Sequence, residues 1–135
     1  MQKLMLALVT ALALVTGAAR ADDAATLREV QDRAAIEALM WRDVRALDTL
    51  DPEAYAGVFT EDGTFGSGSQ QRKGRADLQK MVADLKKGRT DREAAGQKSP
   101  AMYHVITNDS IEFVGPNEAR YYSYWMTVFG ALGTE

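Results

Sequence analysis

Apolar positions along the chain fall into two periods, one helical and one extended. From Thr26 the residues Leu27, Val30, Ala34, Ile36, Leu39, Met40, Val44 and Leu47 recur at near-helical spacing with charges between them. Thr26 followed by Glu29 fits a capping box at the start of that helix. Asp48 to Pro52 should end it, because the residue before a proline is pushed out of helical conformation. Pro52 can then open a second short helix, Glu53 to Phe59, with Tyr55, Val58 and Phe59 facing inward. A third helix is expected over Arg75 to Lys87, where Leu78, Met81, Val82 and Leu85 follow the i, i+3, i+4, i+7 pattern and Gly88 can close the end. Arg89 to Pro100 is polar and aperiodic, and reads as a mobile loop.

Extended patterns occupy the rest. Thr64-Phe65 starts a strand after a Thr60–Gly63 turn, Gly66 to Ser69 bends, and Gln70 to Lys73 returns as a short second strand. Met102 to Val114 and Glu118 to Phe129 are rich in β-branched and aromatic residues, with Gly115-Pro116-Asn117 as the turn of a hairpin. In the second of these strands one face carries Ala119, Tyr121, Ser123, Trp125, Thr127 and Phe129, and the other Arg120, Tyr122, Tyr124, Met126 and Val128. Neither face is wholly polar, so both are expected to meet protein: one the helices, the other the sheet's own concavity or a partner.

The N-terminus changes the picture. Lys3, an apolar run from Leu4 to Val15 broken only by Thr10, and Ala19-Arg20-Ala21 form a secretory leader pattern. The run is shorter than the roughly 20 residues a bilayer span needs, and Asp22-Asp23 follows at once. Residues 1–21 are therefore expected to be a signal peptide and residues 22–135 a single exported domain, periplasmic or secreted, with no membrane attachment after cleavage. No cysteine is present, which excludes disulfides and thiolate metal sites and suits an oxidising compartment. The formal charge of the whole chain is −3, yet Arg72 to Lys98 holds nine basic residues against four acidic ones. That run could meet anions, but a solvated helix face is the commoner cause. No aromatic residue interrupts it to stack on bases, so nucleic acid is not expected as a partner.

Helices, a small strand pair, a helix and a long hairpin make an α+β order. Asp32-Arg33-Ala34-Ala35-Ile36, Ala46-Leu47-Asp48, Asp51 with Glu53-Ala54-Tyr55, and Phe59-Thr60-Glu61-Asp62-Gly63 carry a closer likeness, continued by Gly74, His104, Asn108 and Ile111. Their order and spacing resemble the SnoaL-like branch of the nuclear transport factor 2-like superfamily over about Thr26 to Phe129. The resemblance implies a cone-shaped α+β barrel, a curved and mostly antiparallel sheet wrapped round three helices, with an apolar pocket. Polyketide cyclases, scytalone dehydratase, ketosteroid isomerases and dioxygenase β-subunits share that fold, so fold does not choose the reaction. Family members usually add strands after a segment like Tyr122 to Phe129. Either the chain is a truncated copy or a partner completes the sheet. Truncation is the expectation, since an apolar hairpin left as a sheet edge invites aggregation; a homodimer is also expected.

Candidate chemistry centres on His104, the single histidine, which shares a strand face with Met102 and Ile106. The resemblance turns that face toward the pocket and matches His104 to the acid–base histidine of scytalone dehydratase. A core histidine bonded to a carbonyl is the alternative. The resemblance likewise places Asp48 at the pocket, where it could orient the imidazole as triad carboxylates do. Equally, Asp48 could simply cap the turn before Pro52. Other features of these relatives are missing: the dehydratase's paired tyrosines fall on Leu47 and about Ser67, its second histidine on Phe129, and the isomerase's base near Gly66 or Ser67. Asp43 stands where the family often has tyrosine. It is expected to face solvent, because an unpaired buried carboxylate is costly, and the other option is a second pocket carboxylate. Tyr55, Phe65, Met102, Tyr121, Ser123 and Trp125 are candidate walls of a ligand site, or simply core. No spacing suggests a metal or a cofactor cradle. Two functions stay open: cofactor-free lyase or isomerase chemistry on a small apolar or aromatic molecule, and a non-catalytic ligand-binding or subunit-association domain.

Overall fold

The structure, a computed structural model, describes residues 2–130, with side chains from Asp23 onward. The chain divides into a unit ending at Glu37 and a second beginning at Ala38. The first unit is helical and belongs to α1 (Gln2–Asp48). Glu29 and Arg33 pair one turn apart at 2.9 Å within it. Because the helix begins upstream, Thr26 lies within it and does not start it, which corrects the expected start. No proline between Val15 and Thr26 would stop a helix there. The expected leader, residues 1–21, lies outside the residues whose side chains are described. Among the described residues no helix is long and apolar enough to cross a membrane.

In the second unit α1 ends sharply at Asp48. Leu50 adopts a left-handed φ of 51°, and the amides of Leu50 and Asp51 bond back to the carbonyls of Leu47 and Ala46 at 3.1 and 2.8 Å. This is the Schellman closure, usually built on glycine. A leucine in this region costs roughly 1–2 kcal/mol. Leu50 is buried, and burying such a side chain contributes about 1.5–3 kcal/mol in return. Asp51 then caps α2 (Pro52–Ala56), accepting the Ala54 amide at 3.0 Å. A short antiparallel pair follows, β1 (Thr64–Phe65) with β2 (Arg72–Lys73). Gly74, at φ 80°, turns the chain into α3.

α3 runs Arg75–Ala94, well past the expected stop at Gly88. A glycine inside a helix costs only about 1 kcal/mol, and ion pairs Lys87–Asp91 and Arg89–Glu93 span the next turn. The real stop is Gly96 at φ 74°, where the amides of Gly96 and Gln97 close on Glu93 and Arg92. Arg89 to Ala94 is therefore helix and not loop. All four acidic residues of the basic stretch are paired with basic ones, at Arg72–Asp77, Lys80–Asp84, Lys87–Asp91 and Arg89–Glu93, which favours the solvated-face reading of that run.

Ala46, Leu50, Tyr55, Leu78 and Val82 form the core, with Leu47, Phe59, Met81 and Met102 packed against it. Tyr55, Leu78 and Val82 are fully buried. Arg75 fastens α3 to the segment after α2, donating to the Phe59 carbonyl at 2.7 Å and pairing with Glu61.

β3 (Ala101–Gly115) and β4 (Glu118–Gly130) form the long antiparallel hairpin, turned by Pro116 and Asn117. The α+β class expected from the element order is therefore what the chain adopts. The described strands lie in two separate two-stranded sheets, so the sheet is open. The hairpin pairs Thr107 with Tyr124 and then Ser110 with Tyr122, so Asn108 and Asp109 together oppose Ser123. This is a β-bulge with Asn108 at φ 53°. The extra residue reverses side-chain parity. Before the bulge Met102, His104 and Ile106 lie on the more buried face, and after it Ile111, Phe113 and Gly115 do. On the opposite face Tyr103, Val105, Tyr122, Tyr124, Met126 and Val128 are all exposed in the single chain.

Asn108 tolerates its left-handed backbone where a β-branched residue cannot. Asn108→Val should lower unfolding free energy by about 1–2 kcal/mol, while Asn108→Gly should leave it nearly unchanged. Urea denaturation of the two variants checks this.

Candidate functional site

The C-terminal turns of α1 place Met40, Asp43, Val44 and Leu47 on one stripe, at i, i+3, i+4 and i+7. These four line one wall of a half-open cavity of about 190 Å³. Tyr55 and Phe65 close one side, and His104 and Ile106 from β3 with Ser123 and Trp125 from β4 form the opposite wall. The Tyr55 ring meets Phe65 edge-on at 6.3 Å, and Trp125 lies 5.7 Å from the His104 ring.

His104 is held at two points by one atom. Asp48 Oδ1 lies 2.7 Å from His104 Nδ1 and accepts the His104 backbone N–H at 3.0 Å. His104 pairs with Thr127 of β4 on one side of the strand. Its amide points the other way, and Asp48 fills the place a further strand would take. Both side chains are largely buried, at 8% and 20% exposure. With Nδ1 bonded to a carboxylate, the ring is fixed in the tautomer that leaves Nε2 as the free nitrogen. Asp51, not Asp48, caps α2, so of the two roles open to Asp48 the structure takes the contact with histidine.

The structure brings together Tyr55, Phe65, His104, Ser123 and Trp125 in the cavity wall, with Asp48 behind His104. Two other expected wall residues are elsewhere. Met102 packs against the core cluster, because that end of β3 lies over α1 and α3 residues of the core. Tyr121, opposite Ile111, sits one pleat nearer the hairpin turn than Ser123, outside the lining. Met40, Val44, Leu47 and Ile106 are wall residues that sequence reasoning assigned only to helix and strand faces; their shared period with Asp43 and His104 was the available signal. Asp43 itself faces the cavity, half-buried, and not the solvent.

Burial in this apolar wall pushes the Asp43 carboxyl above its ordinary value of 3.8, partly offset by the electrostatic pull of His104. The Tyr55 hydroxyl is pushed above its ordinary 10.0 by burial first and by Asp43 second. Among the described residues no group of His, Asp and Glu is arranged to hold a metal.

Residues 28–135 match the family model of the SnoaL-like domain. The chain belongs to the SnoaL-like family. An NTF2-like protein with a cystatin-like fold from Novosphingobium aromaticivorans is similar to this SnoaL-like chain at 26% identity and a TM-score of 0.63, covering 82% of this chain and 68% of that one. A candidate scytalone dehydratase from the same organism shows 23% identity and a TM-score of 0.58, covering 79% of this chain and 66% of its own. ActVI-ORFA from Streptomyces coelicolor shows 18% identity and a TM-score of 0.59, covering 74% and 70%. The SnoaL-like chain thus spans about two thirds of the length of these structures. No curated protein matches it. Where the dehydratase tyrosine was matched, Leu47 lines the cavity, and Phe129, matched to the second histidine, is exposed.

The raised Asp43 carboxyl has a defined pH signature. Its folded form holds a proton more tightly than its unfolded form, so ionisation opposes folding. That opposition is absent below the unfolded value of about 3.8 and grows as pH rises through the folded value. Asp43→Asn should match the parent in Tm below about pH 3.8 and exceed it once pH has passed the raised folded value, with a constant advantage above that. A Tm difference that is the same at both ends of this range would contradict this account.

Proposed function

We propose that this SnoaL-like domain takes a small apolar or aromatic molecule into the α1–hairpin cavity and moves a proton on it without a cofactor, in a lyase or isomerase step. His104 Nε2 is the base and Asp48 its orienting group. The observation that carries this reading is the 2.7 Å contact between Asp48 Oδ1 and His104 Nδ1, which leaves Nε2 as the acceptor. The cavity size supports it too, since an apolar void of about 150 Å³ accommodates benzene and this one is about 190 Å³. The likeness to a candidate scytalone dehydratase agrees in reaction class. Acetophenone, a one-ring ketone with acidic C–H bonds, is a suitable reporter. The protein should speed deuterium exchange of its methyl group in D2O, followed by proton NMR. His104→Ala should abolish that by about 10²-fold or more, and Asp48→Asn should reduce it with no change in acetophenone affinity. Exchange equal in parent and His104→Ala would sink the acid–base reading.

A second reading, subunit association, is favoured by the hairpin's outer face. Tyr103 pairs with Val128, Val105 with Met126 and Thr107 with Tyr124, giving an exposed apolar patch beyond the charged Glu112–Arg120 end. Patches of this kind on small domains usually mark contact surfaces. A second copy of the chain is the occupant we propose. Sedimentation should give a dimer for the parent and a monomer for Met126→Lys, and the Tm should depend on protein concentration in the parent but not in the variant. A monomeric parent removes this reading.

A further inference from the structure

Asp43 is at odds with its surroundings. Its stripe neighbours on α1 are Met40, Val44 and Leu47, and the walls facing it are aromatic: Tyr55 from α2, Phe65 from β1 and Trp125 from β4. Among the described residues no hydrogen bond or ion pair satisfies its carboxylate. Asp48, one wall away, is engaged by His104 through Oδ1. The titratable groups that face Asp43 are Tyr55 and His104; β1 and β4 contribute only Phe65, Ser123 and Trp125, without charge. Tyr55 stays neutral, since burial and Asp43 itself both raise its hydroxyl. An ionised carboxylate in an apolar wall is costly unless a partner arrives. The cavity is half-open, so the partner can come from outside, and a cation entering there would also meet aromatic faces that attract it.

We propose that Asp43 is the specificity residue of the cavity and that its ligand is a one-ring arylalkylamine, bound as the ammonium ion against the Asp43 carboxylate. This rests on the ligand-binding reading of the cavity and narrows its substrate class. The aromatic ring fills the space between Phe65, Trp125 and Leu47, and the ammonium supplies the missing charge partner. His104 then meets the same molecule from the opposite wall.

Benzylamine and benzyl alcohol separate the two readings, because they share size and shape and differ in charge. Isothermal titration calorimetry on the full chain should show benzylamine bound at least about tenfold more tightly than benzyl alcohol near neutral pH. Benzylamine affinity should rise with pH as Asp43 loses its proton, and benzyl alcohol affinity should rise much less. Asp43→Asn should remove the preference, bringing benzylamine and benzyl alcohol to similar affinities. Losing an unpaired carboxylate does not endanger folding, and Asp43→Leu gives a second variant with the same expected loss. Equal binding of the two probes to the parent overturns the amine proposal and leaves the cavity reading standing. Binding of neither probe overturns both.

Discussion

Asp48 Oδ1 joins the end of one helix to the edge of one strand, and the cavity depends on that junction. The oxygen takes a backbone amide that has no strand beside it and, in the same contact, fixes an imidazole ring. A charge-assisted bond of this sort contributes roughly 1.5–3 kcal/mol, and two from one atom leave the ring little freedom. The junction needs the helix to stop where it does. Leu50 makes that stop by entering left-handed conformation, and it holds there because its side chain is core. Backbone strain, core packing and the orientation of His104 are thus coupled within three residues of chain.

The hairpin adds a second constraint. Without the bulge at Asn108, strict alternation would put His104 and Ile106 on one face and Ile111 and Phe113 on the other. The bulge lets both pairs turn the same way. It sits opposite Ser123, itself part of the cavity wall, so the irregular residue of the strand and the wall are neighbours. The α1 stripe and this rephased strand then face each other with Tyr55 and Phe65 between them. The resulting cavity is apolar apart from His104, Ser123, the Tyr55 hydroxyl and Asp43, and any selectivity must come from those few groups.

Much of this was legible in the chain. The hairpin, the short strand pair and the start of the third helix follow from period and turn residues. The place of His104 on a face with Ile106 follows from strand alternation. Three misjudgements share a cause, which is that local signals compete. Gly88 looked like a helix stop, but flanking ion pairs carried the helix to Gly96. Thr26 looked like a cap, but nothing upstream interrupts the helix. Asp43 looked too polar to be turned inward, but its period with Met40, Val44 and Leu47 decides its direction, and a half-open cavity makes the charge tolerable.

The sequence alone determined the α+β order and the identity of the one imidazole, because these depend on short-range period and on residue type, and it carried the ordered words that resemble the SnoaL-like family. Tertiary structure decided which aspartate met that imidazole. Asp43, Asp48 and Asp51 lie within nine positions on a helix and its exit, and each could cap, pair or face solvent. Their division into cavity wall, histidine partner and helix cap rests on where α1 stops and on a strand more than fifty residues away. No local pattern encodes that distance; it is set when the hairpin closes over the helix and one unpaired amide of β3 comes within reach of one carboxylate.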